Sequence, residues 1–582
     1  MKKNNLLKFL TVFFCVFATG IFTYAQNPNC FRITFTDKDN SPYAIERPDE
    51  FLSQRAINKR VRFEIPITEQ DFPVNPQYVQ NIQSFFNTIT SVIATSKWNN
   101  SVVLHCPEVD NWQTIVDQIK EKFSYVKEVL PVAYYDLSKK VETPLPEQIS
   151  NAIVYRGSCD YNYGKSIDNI KIHNGQLLHK AGFCGEDMLI CVLDVGWTAF
   201  DLLSVFKPLF ENGQIWGTRD LIPGVNDVYT GHSHGTSITS EMVCNIDGVM
   251  VGTAPKANYF FIRSDDPWRE QLIEEDFYAQ ACEIADSLGA DISTASLGYT
   301  TFDFEWQNIY TPDDNIGTAS IASRAATTLA EKGVIVVNSA GNEGNGLWRY
   351  LGRPADAFNI LAVGAVNKDG VIAGFSSYGP SADGRVKPDV ASVGDGAWML
   401  NTVGGAMQGS GTSCSAPIIA GLAACLWQAL PQYSSSQMMQ LIREYGDCFS
   451  NPNDRKGYGI PNFYKIYSDI TESVTEEESS NFSVYPNPTT GQLRIESNKG
   501  INPLVSVEIF DIMGKKISSH HLIPTSPHHL IPSSSHHLIT SSPHHLIPSS
   551  SHHFDISHLS AGVYFVKIHT ENGAVVRKVI KQ

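Results

Sequence analysis

Three apolar stretches, "MLICVL" from Met188, "VIVV" from Val334 and "ILAVGAV" from Ile360, constrain this chain more than any other feature. Each is short, unbroken by polar residues and rich in β-branched side chains, the mark of a strand buried on both faces. Each runs into a polar or glycine-rich turn, and longer helical patterns separate them. Between about residues 151 and 470 the alternation predicts an α/β domain with a mostly parallel sheet and helices on both faces. In such sheets ligands gather beyond the carboxyl ends of the strands, so the turns after these runs are where chemistry is to be sought.

At 582 residues the chain is too long for one ordinary core. Residues 26 to about 150 read as a small α+β domain. In "SVVLHCPEVDNWQTIVDQIKEKFSYVKEVLPVAYYD" a strand, a helix with Ile115, Ile119 and Phe123 on its apolar face, and a second strand lead into the polar linker "SKKVETPLPEQIS". Residues 471–480 form an acidic linker. Residues 481–582 then alternate polar and apolar in "VSVEIFDI" and "GVYFVKIHT", which predicts a small β-sandwich. Its pattern is interrupted between residues 520 and 553 by an octapeptide repeat beginning "HHLI", which holds ten of the chain's 17 histidines. Paired histidines could chelate zinc or nickel. The Pro and Ser content and the lack of a fixed ligand cage fit a disordered insert between strands instead.

The first 25 residues, with Lys2, Lys3 and Lys8 ahead of an apolar run ending in "TYA", read as a removed secretory signal and not as a permanent membrane anchor. The later run "APIIAGLAACLWQAL" stops at Pro431 and reads as a buried helix. A net charge of −16 argues against nucleic acid and anionic membrane as partners. Ten cysteines remain beyond Cys15. Cys191 and Cys425 lie in apolar runs and read as buried small hydrophobes, and no pairing can be assigned.

Three separated segments of the α/β region each hold one member of a possible nucleophilic triad. "CVLDVGW" places Asp194 at the end of a buried strand, "GHSHGTS" holds His232 and His234, and "GSGTSCSAPIIAG" offers Ser413, Cys414 and Ser415 at the start of a helix. Acyl transfer needs a nucleophile, a base to take its proton, and an acid group that orients the base. Singly, each residue also has an ordinary use as a turn residue, surface histidine or helix cap.

Taken in order, the segments resemble the subtilisin-like serine peptidases, with D-x-G, H-G-T and G-T-S-x-[AS]-P. The resemblance implies Asp194, His234 and Ser413 as the catalytic set, because His234 and not His232 is followed by Gly235 and Thr236. "VIVVNSAGNEG" is similar to the family's oxyanion segment and implies Asn342 as a donor, with the Ser413 N–H as a second. "ADISTASLGY" is similar to its substrate-binding segment, which implies that Ser296, Leu297 and Gly298 pair with an extended substrate. "FSSYGPSADGRVKPDV" also looks like that core. Val195 and Cys414 depart from the commonest residues of the pattern, and neither removes a group the mechanism needs.

The flanks take on meaning from the same resemblance. Residues 26–150 match in size and pattern an N-terminal propeptide of such enzymes. "FSVYPNPTTGQLRIE", "VEIFDIMGKK", "FDISHLSAGVYFVKI" and "RKVIKQ" resemble the C-terminal sorting domain read by the type IX secretion machinery of Bacteroidetes. The resemblance implies a secreted endopeptidase that acts on protein or peptide substrates, at the cell surface or in the medium, through an acyl-enzyme on Ser413. It implies no cofactor for the chemistry. Calcium often stabilises such enzymes, but no loop here has enough carboxylates to name ligands. Two other readings remain, a catalytically silent surface or adhesion protein on the same fold and an esterase. No G-x-S-x-G elbow surrounds Ser413 to favour the second.

Overall fold

The structure is a computed structural model that describes residues 27–86, 90–107, 111–135, 159–224, 227–471, 482–497, 504–510, 516–521, 551–570 and 573–582. The signal, most of both linkers and residues 522–550 of the histidine repeat lie outside the described residues. The chain divides into two compact units, one running to Tyr467 and one from Ser468.

The first unit opens with a four-stranded antiparallel sheet. Its strands are β1 (Cys30–Phe35), β2 (Ser91–Ser96), β3 (Ser101–His105) and β4 (Val126–Ala133), in the order β2-β3-β1-β4. Helices α1 (Gln54–Arg62), α2 (Pro76–Phe85) and α3 (Trp112–Lys122) accompany it. Phe31, Ile33, Val102, Leu104, Val116 and Ile119 lie in its core, packed against Ile115 and Tyr125. Helix α2 begins where Asn75 caps Gln77 N–H and Pro76 supplies a preset φ at the first helical position.

The elements that follow are α4 (Ile167–Lys171), α5 (Gly175–Lys180), β5 (Leu189–Asp194), α6 (Lys207–Glu211), β6 (Ile215–Asp220), α7 (His234–Val243), β7 (Asn245–Ile246), β8 (Met250–Val251), β9 (Asn258–Arg263), α8 (Glu274–Leu288), β10 (Ile292–Ala295), α9 (Ile321–Glu331), β11 (Ile335–Ser339), β12 (Leu361–Asn367), β13 (Val390–Leu400), β14 (Ala406–Ser410), α10 (Thr412–Ala429) and α11 (Ser435–Glu444). Eight strands form one sheet in the order β14-β13-β12-β11-β10-β5-β9-β6. All neighbours are parallel except β13 and β14. Every residue of β5, β10 and β11 is buried, which is why those runs carry no polar alternation. Helix α10 is long and apolar enough to cross a membrane by composition, yet 83% of it is buried, and it packs against β10, β11, β12 and β13 as a core helix. Cys159 and Cys184 form a disulfide, while Cys191 and Cys425 are fully buried.

The second unit is built from two antiparallel sheets. One contains β15 (Phe482–Tyr485), β16 (Gln492–Ser497) and β19 (Ser551–Asp555). The other contains β17 (Leu504–Phe510), β18 (Lys516–His521), β20 (Gly562–Thr570) and β21 (Gly573–Lys581). Leu493, Ile495, Val507, Ile509, Phe554 and Val566 fill the space between them. The two ends of the histidine repeat are ordinary strand, with His520 and His521 on β18 and His552 and His553 on β19.

Candidate active site

Strand β5 ends in Asp194, whose side chain is fully buried. Its Oδ1 accepts the Val195 N–H at 2.8 Å, and its two oxygens lie 2.9 and 3.0 Å from His234 Nδ1. A carboxylate only accepts, so Nδ1 carries the proton and Nε2 is left as the basic atom. Two glycines let the strand end and the helix start meet backbone to backbone. Gly235 N–H donates to Gly196 O at 3.0 Å, and a Cβ on Gly235 would stand 2.5 Å from that oxygen. This is the physical content of the glycines in "DVG" and "HGT". His232 stands apart from Asp194, its Nδ1 accepting the His234 backbone N–H at 3.1 Å.

Burial works against a charged His234 ring, but the Asp194 charge and hydrogen bond outweigh it and hold the imidazole pKa above the ordinary histidine value. The ring keeps about a third of its surface, with the side chain 30% exposed.

At the other side of the sheet centre, β14 passes through Gly411 into α10. Asn342, in the turn after β11, accepts the Thr412 N–H at 2.9 Å and the Thr412 hydroxyl at 3.1 Å on Oδ1. Thr412 Oγ1 in turn accepts the Gly341 N–H at 3.1 Å. These bonds fix the Asn342 amide plane, and among the described residues Nδ2 donates no hydrogen bond. A Cβ on Gly411 would lie 2.9 Å from Ser413 Oγ and 3.7 Å from both Asn342 Nδ2 and Ser413 N. Only glycine leaves open the space that those three atoms border.

Pro417 lies inside α10 and has no N–H to give the carbonyl four residues earlier, which is that of Ser413. Ser296 Oγ donates to Ser413 O at 2.9 Å and fills that place. The "SLG" segment is thereby tied to the residue in the nucleophile position. Within it the Leu297 carbonyl points inward, accepting Asn338 Nδ2 at 3.0 Å and Ser339 Oγ at 3.3 Å, and Gly298 is exposed. The role of Pro417 as the cause of the Ser296 contact was missed from sequence. The spacing of four from Ser413 was the signal that could have given it.

Of the three candidate nucleophiles in the opening of α10, two are committed elsewhere. Ser415 is buried and its hydroxyl donates to Thr412 O at 2.8 Å. Cys414 is buried, and desolvation pushes its thiol well above the usual value. Ser413 stands at the first turn, beside the Asn342 amide. Helices α7 and α10 pack together with His234 and Ser413 both in their first turns. Among the described residues no hydrogen bond joins Ser413 Oγ to His234. Such contacts commonly close only when substrate binds.

Sequence reasoning also missed Glu241, on α7 two turns after His234. It is buried, among the described residues neither carboxyl oxygen has a hydrogen-bond partner, and burial pushes its pKa well above the usual carboxylate value. It lies close enough to Cys414 to bear on its ionisation. Among the described residues no three His, Cys, Asp or Glu side chains are grouped as metal ligands would be.

A buried carboxylate on an imidazole, with a serine at the start of a neighbouring helix and a fixed amide beside it, is the kind of arrangement that α/β serine peptidases use. Residues 185–459 match the model of the subtilase family, so the chain carries a subtilase domain. Residues 30–146 match the Peptidase S8 propeptide domain of Bacteroidota, and residues 483–534 and 539–582 a secretion system C-terminal sorting domain. The last marks the chain for type IX export to the cell surface or medium.

Among curated proteins, M-protease of Shouchella clausii is 26% identical over 279 residues, 47% of this chain and 63% of that protein. The chain thus spans less than two thirds of that relative. The thermostable alkaline protease of Halalkalibacterium halodurans is 24% identical over 350 residues, 60% of this chain and 86% of that protein. Subtilisin E of Bacillus subtilis is 25% identical over 345 residues, 57% and 79% respectively. Fervidolysin from Fervidobacterium pennivorans, described as a keratinolytic enzyme related to subtilisin, is a similar solved structure. It has 18% identity and a TM-score of 0.49, with 93% of this chain and 70% of that one covered.

Proposed function

We propose that the chain is a secreted serine endopeptidase that hydrolyses peptide bonds in proteins through an acyl-enzyme on Ser413. The observation that carries this reading is the Asp194 carboxylate on His234 Nδ1, which leaves Nε2 basic at the start of a helix packed against the helix of Ser413. Ser413 Oγ attacks the scissile carbonyl carbon while His234 Nε2 takes the hydroxyl proton. The charge on the substrate oxygen is met by Asn342 Nδ2 and the Ser413 N–H, donors already oriented before reaction. His234 then gives its proton to the departing amine nitrogen. A water, deprotonated by the same Nε2, releases the acid and restores Ser413. Asp194 holds the ring and balances the imidazolium without taking the proton. No step needs a cofactor.

Ser296 to Gly298 form the edge along which an extended substrate pairs, and residues 26–150 act as the propeptide. The sorting domain hands the chain to the type IX secretion machinery.

Hydrolysis of casein and of a peptide anilide by the purified secreted protein tests the reading. Ser413→Ala is expected to lower kcat by about 10⁶, the scale set by removing such a nucleophile. Wild-type protein that is correctly processed yet hydrolyses neither would favour a silent surface module. Turnover of esters without peptides would favour an esterase.

A further inference from the structure

The first turn of α7 carries His234, yet the residue just before it does not cap the helix. Ser233 has helical backbone angles, φ −90° and ψ −4°, and its hydroxyl caps no N–H of the helix. The His232 ring does so instead, its Nδ1 accepting the His234 N–H at 3.1 Å. A ring nitrogen that accepts carries no proton, so the neutral ring holds its hydrogen on Nε2. An N–H in the first turn has no partner inside its own helix, which is why Ser, Thr, Asp or Asn usually supplies one. Here an imidazole takes that place, for the N–H of the residue whose side chain is read as the base.

His232 is itself held from the other side. Its carbonyl accepts the Thr198 N–H at 3.1 Å, and Thr198 O accepts the Thr236 hydroxyl at 2.9 Å. Thr198 therefore grips the residue ahead of the helix and the first turn at once. Residues 196–199 and 228–232 run side by side through two further bonds, Trp197 N–H to Val228 O at 2.7 Å and Ala199 N–H to Tyr229 O at 3.3 Å. They pass too closely for a side chain on Gly196, where a Cβ would lie 2.7 Å from Thr230 O and 3.1 Å from His232 N. The strand end that supplies Asp194 and the helix start that supplies His234 are thus joined through His232 as well as through the carboxylate on the imidazole.

That second joint bears on the base. Asp194 holds the His234 ring at one atom, Nδ1, and the side chain keeps 30% of its surface open. A ring pinned at one atom can still pivot, so the direction of Nε2 depends on where the backbone of His234 stands. Misplacing a base costs rate more than binding.

We infer that His232 is a positioning residue for His234, its neutral Nδ1 fixing the backbone from which the base hangs. This rests on the reading of His234 as the base. A protonated His232 would present an N–H to an N–H and set a positive charge at the positive end of the α7 dipole. The charged groups around it are the His234 ring at 6.4 Å, Asp194 that holds that ring, Asp227, whose Oδ1 accepts the Tyr229 N–H, and Arg263, which pairs with Asp220 and lies against Gly231. Among the described residues none of these carboxylates bonds to the His232 ring.

The test assays the secreted, processed protein on a peptide anilide as wild type, His232→Ala, His232→Asn and His234→Ala. Removing an N-cap acceptor typically costs a factor of about five. His232→Ala should therefore lower kcat about three- to tenfold at pH 8, with KM within about twofold. Asparagine sets an Oδ1 where Nδ1 stands, so His232→Asn should return kcat to within about twofold of wild type. The asparagine acceptor does not titrate, so at the acid end of the profile log kcat should fall less steeply in His232→Asn than in wild type. Wild-type kcat in His232→Ala overturns the inference, as do alanine and asparagine variants that are equally slow, or equal acid slopes in wild type and His232→Asn. Should His232→Ala fail to fold, the slopes of wild type and His232→Asn decide alone. Hydrolysis that survives in His234→Ala is a different failure, which overturns the base assignment and the inference with it.

Discussion

The bond from Ser296 to the Ser413 carbonyl leads to a prediction that separates two roles for Ser296. Pro417 denies that carbonyl its helical partner, and Ser296 Oγ supplies one at 2.9 Å. A neutral hydrogen bond of this kind contributes about 1 kcal/mol net, roughly fivefold in kcat/KM if its loss is felt in the transition state. Ser296→Ala should therefore cost about three- to tenfold. Pro417→Ala alone should change little, because it adds an N–H to a carbonyl already satisfied. In the double variant the backbone N–H that alanine brings to position 417 can take the place of the lost hydroxyl, and kcat/KM should return to within about twofold of wild type. Initial rates on a peptide anilide for the four proteins complete the cycle. A double variant as impaired as Ser296→Ala would refute the reasoning and assign the effect to a direct contact between Ser296 and substrate.

Further expectations follow from the same geometry. Asn342→Asp keeps an acceptor for Thr412 but loses the outward donor, so kcat should fall about 10²–10³-fold with the melting temperature nearly unchanged, whereas Asn342→Ala should lower both. An unchanged kcat in Asn342→Asp would remove Asn342 from the oxyanion site. His234 must be neutral to act as base, and its pKa is raised, so kcat/KM should fall with acidification around a pH above the ordinary histidine value of about 6.5. Asp194→Asn removes what raises it, and should move that limb to lower pH while cutting kcat by about 10⁴. An unmoved limb would contradict the pairing. In the folded protein, alkylation at pH 8 should label half-buried Cys448 before buried Cys414, and Cys414→Ala should keep activity within a few-fold. Loss of hydrolysis on labelling Cys414 would argue otherwise.

Much of the architecture was legible because burial on both faces leaves a plain trace. The runs around Leu189, Ile335 and Leu361 could hardly be anything but interior parallel strands. The antiparallel edge strand β14 was not legible, since "AMQGS" is half exposed and lacks that trace. At the site, local motifs pointed to Asp194, His234, Ser413 and Asn342 because each needs glycines or a helix start in fixed neighbouring positions. Contacts between residues far apart in sequence had no such signature. Nothing local to Ser296 says that its hydroxyl serves a carbonyl 117 residues away. The ion pairs of residues 55–71 with the subtilase domain were invisible for the same reason, because their charges look like ordinary surface until Asp286, Asp291 and Lys332 are brought against them. Glu241 was hidden by its own chemistry, since a glutamate within a helix reads as solvated.

The central claim is that Ser413 is the residue that becomes acylated. Peptide mapping by mass spectrometry after reaction with a fluorophosphonate, a reagent that phosphonylates activated serines, tests it most directly. The account predicts a single adduct on Ser413, absent when Asp194→Asn or His234→Ala disables the base. An adduct on Ser415 or elsewhere with Ser413 unmodified, or labelling of Ser413 undiminished without His234, would contradict it.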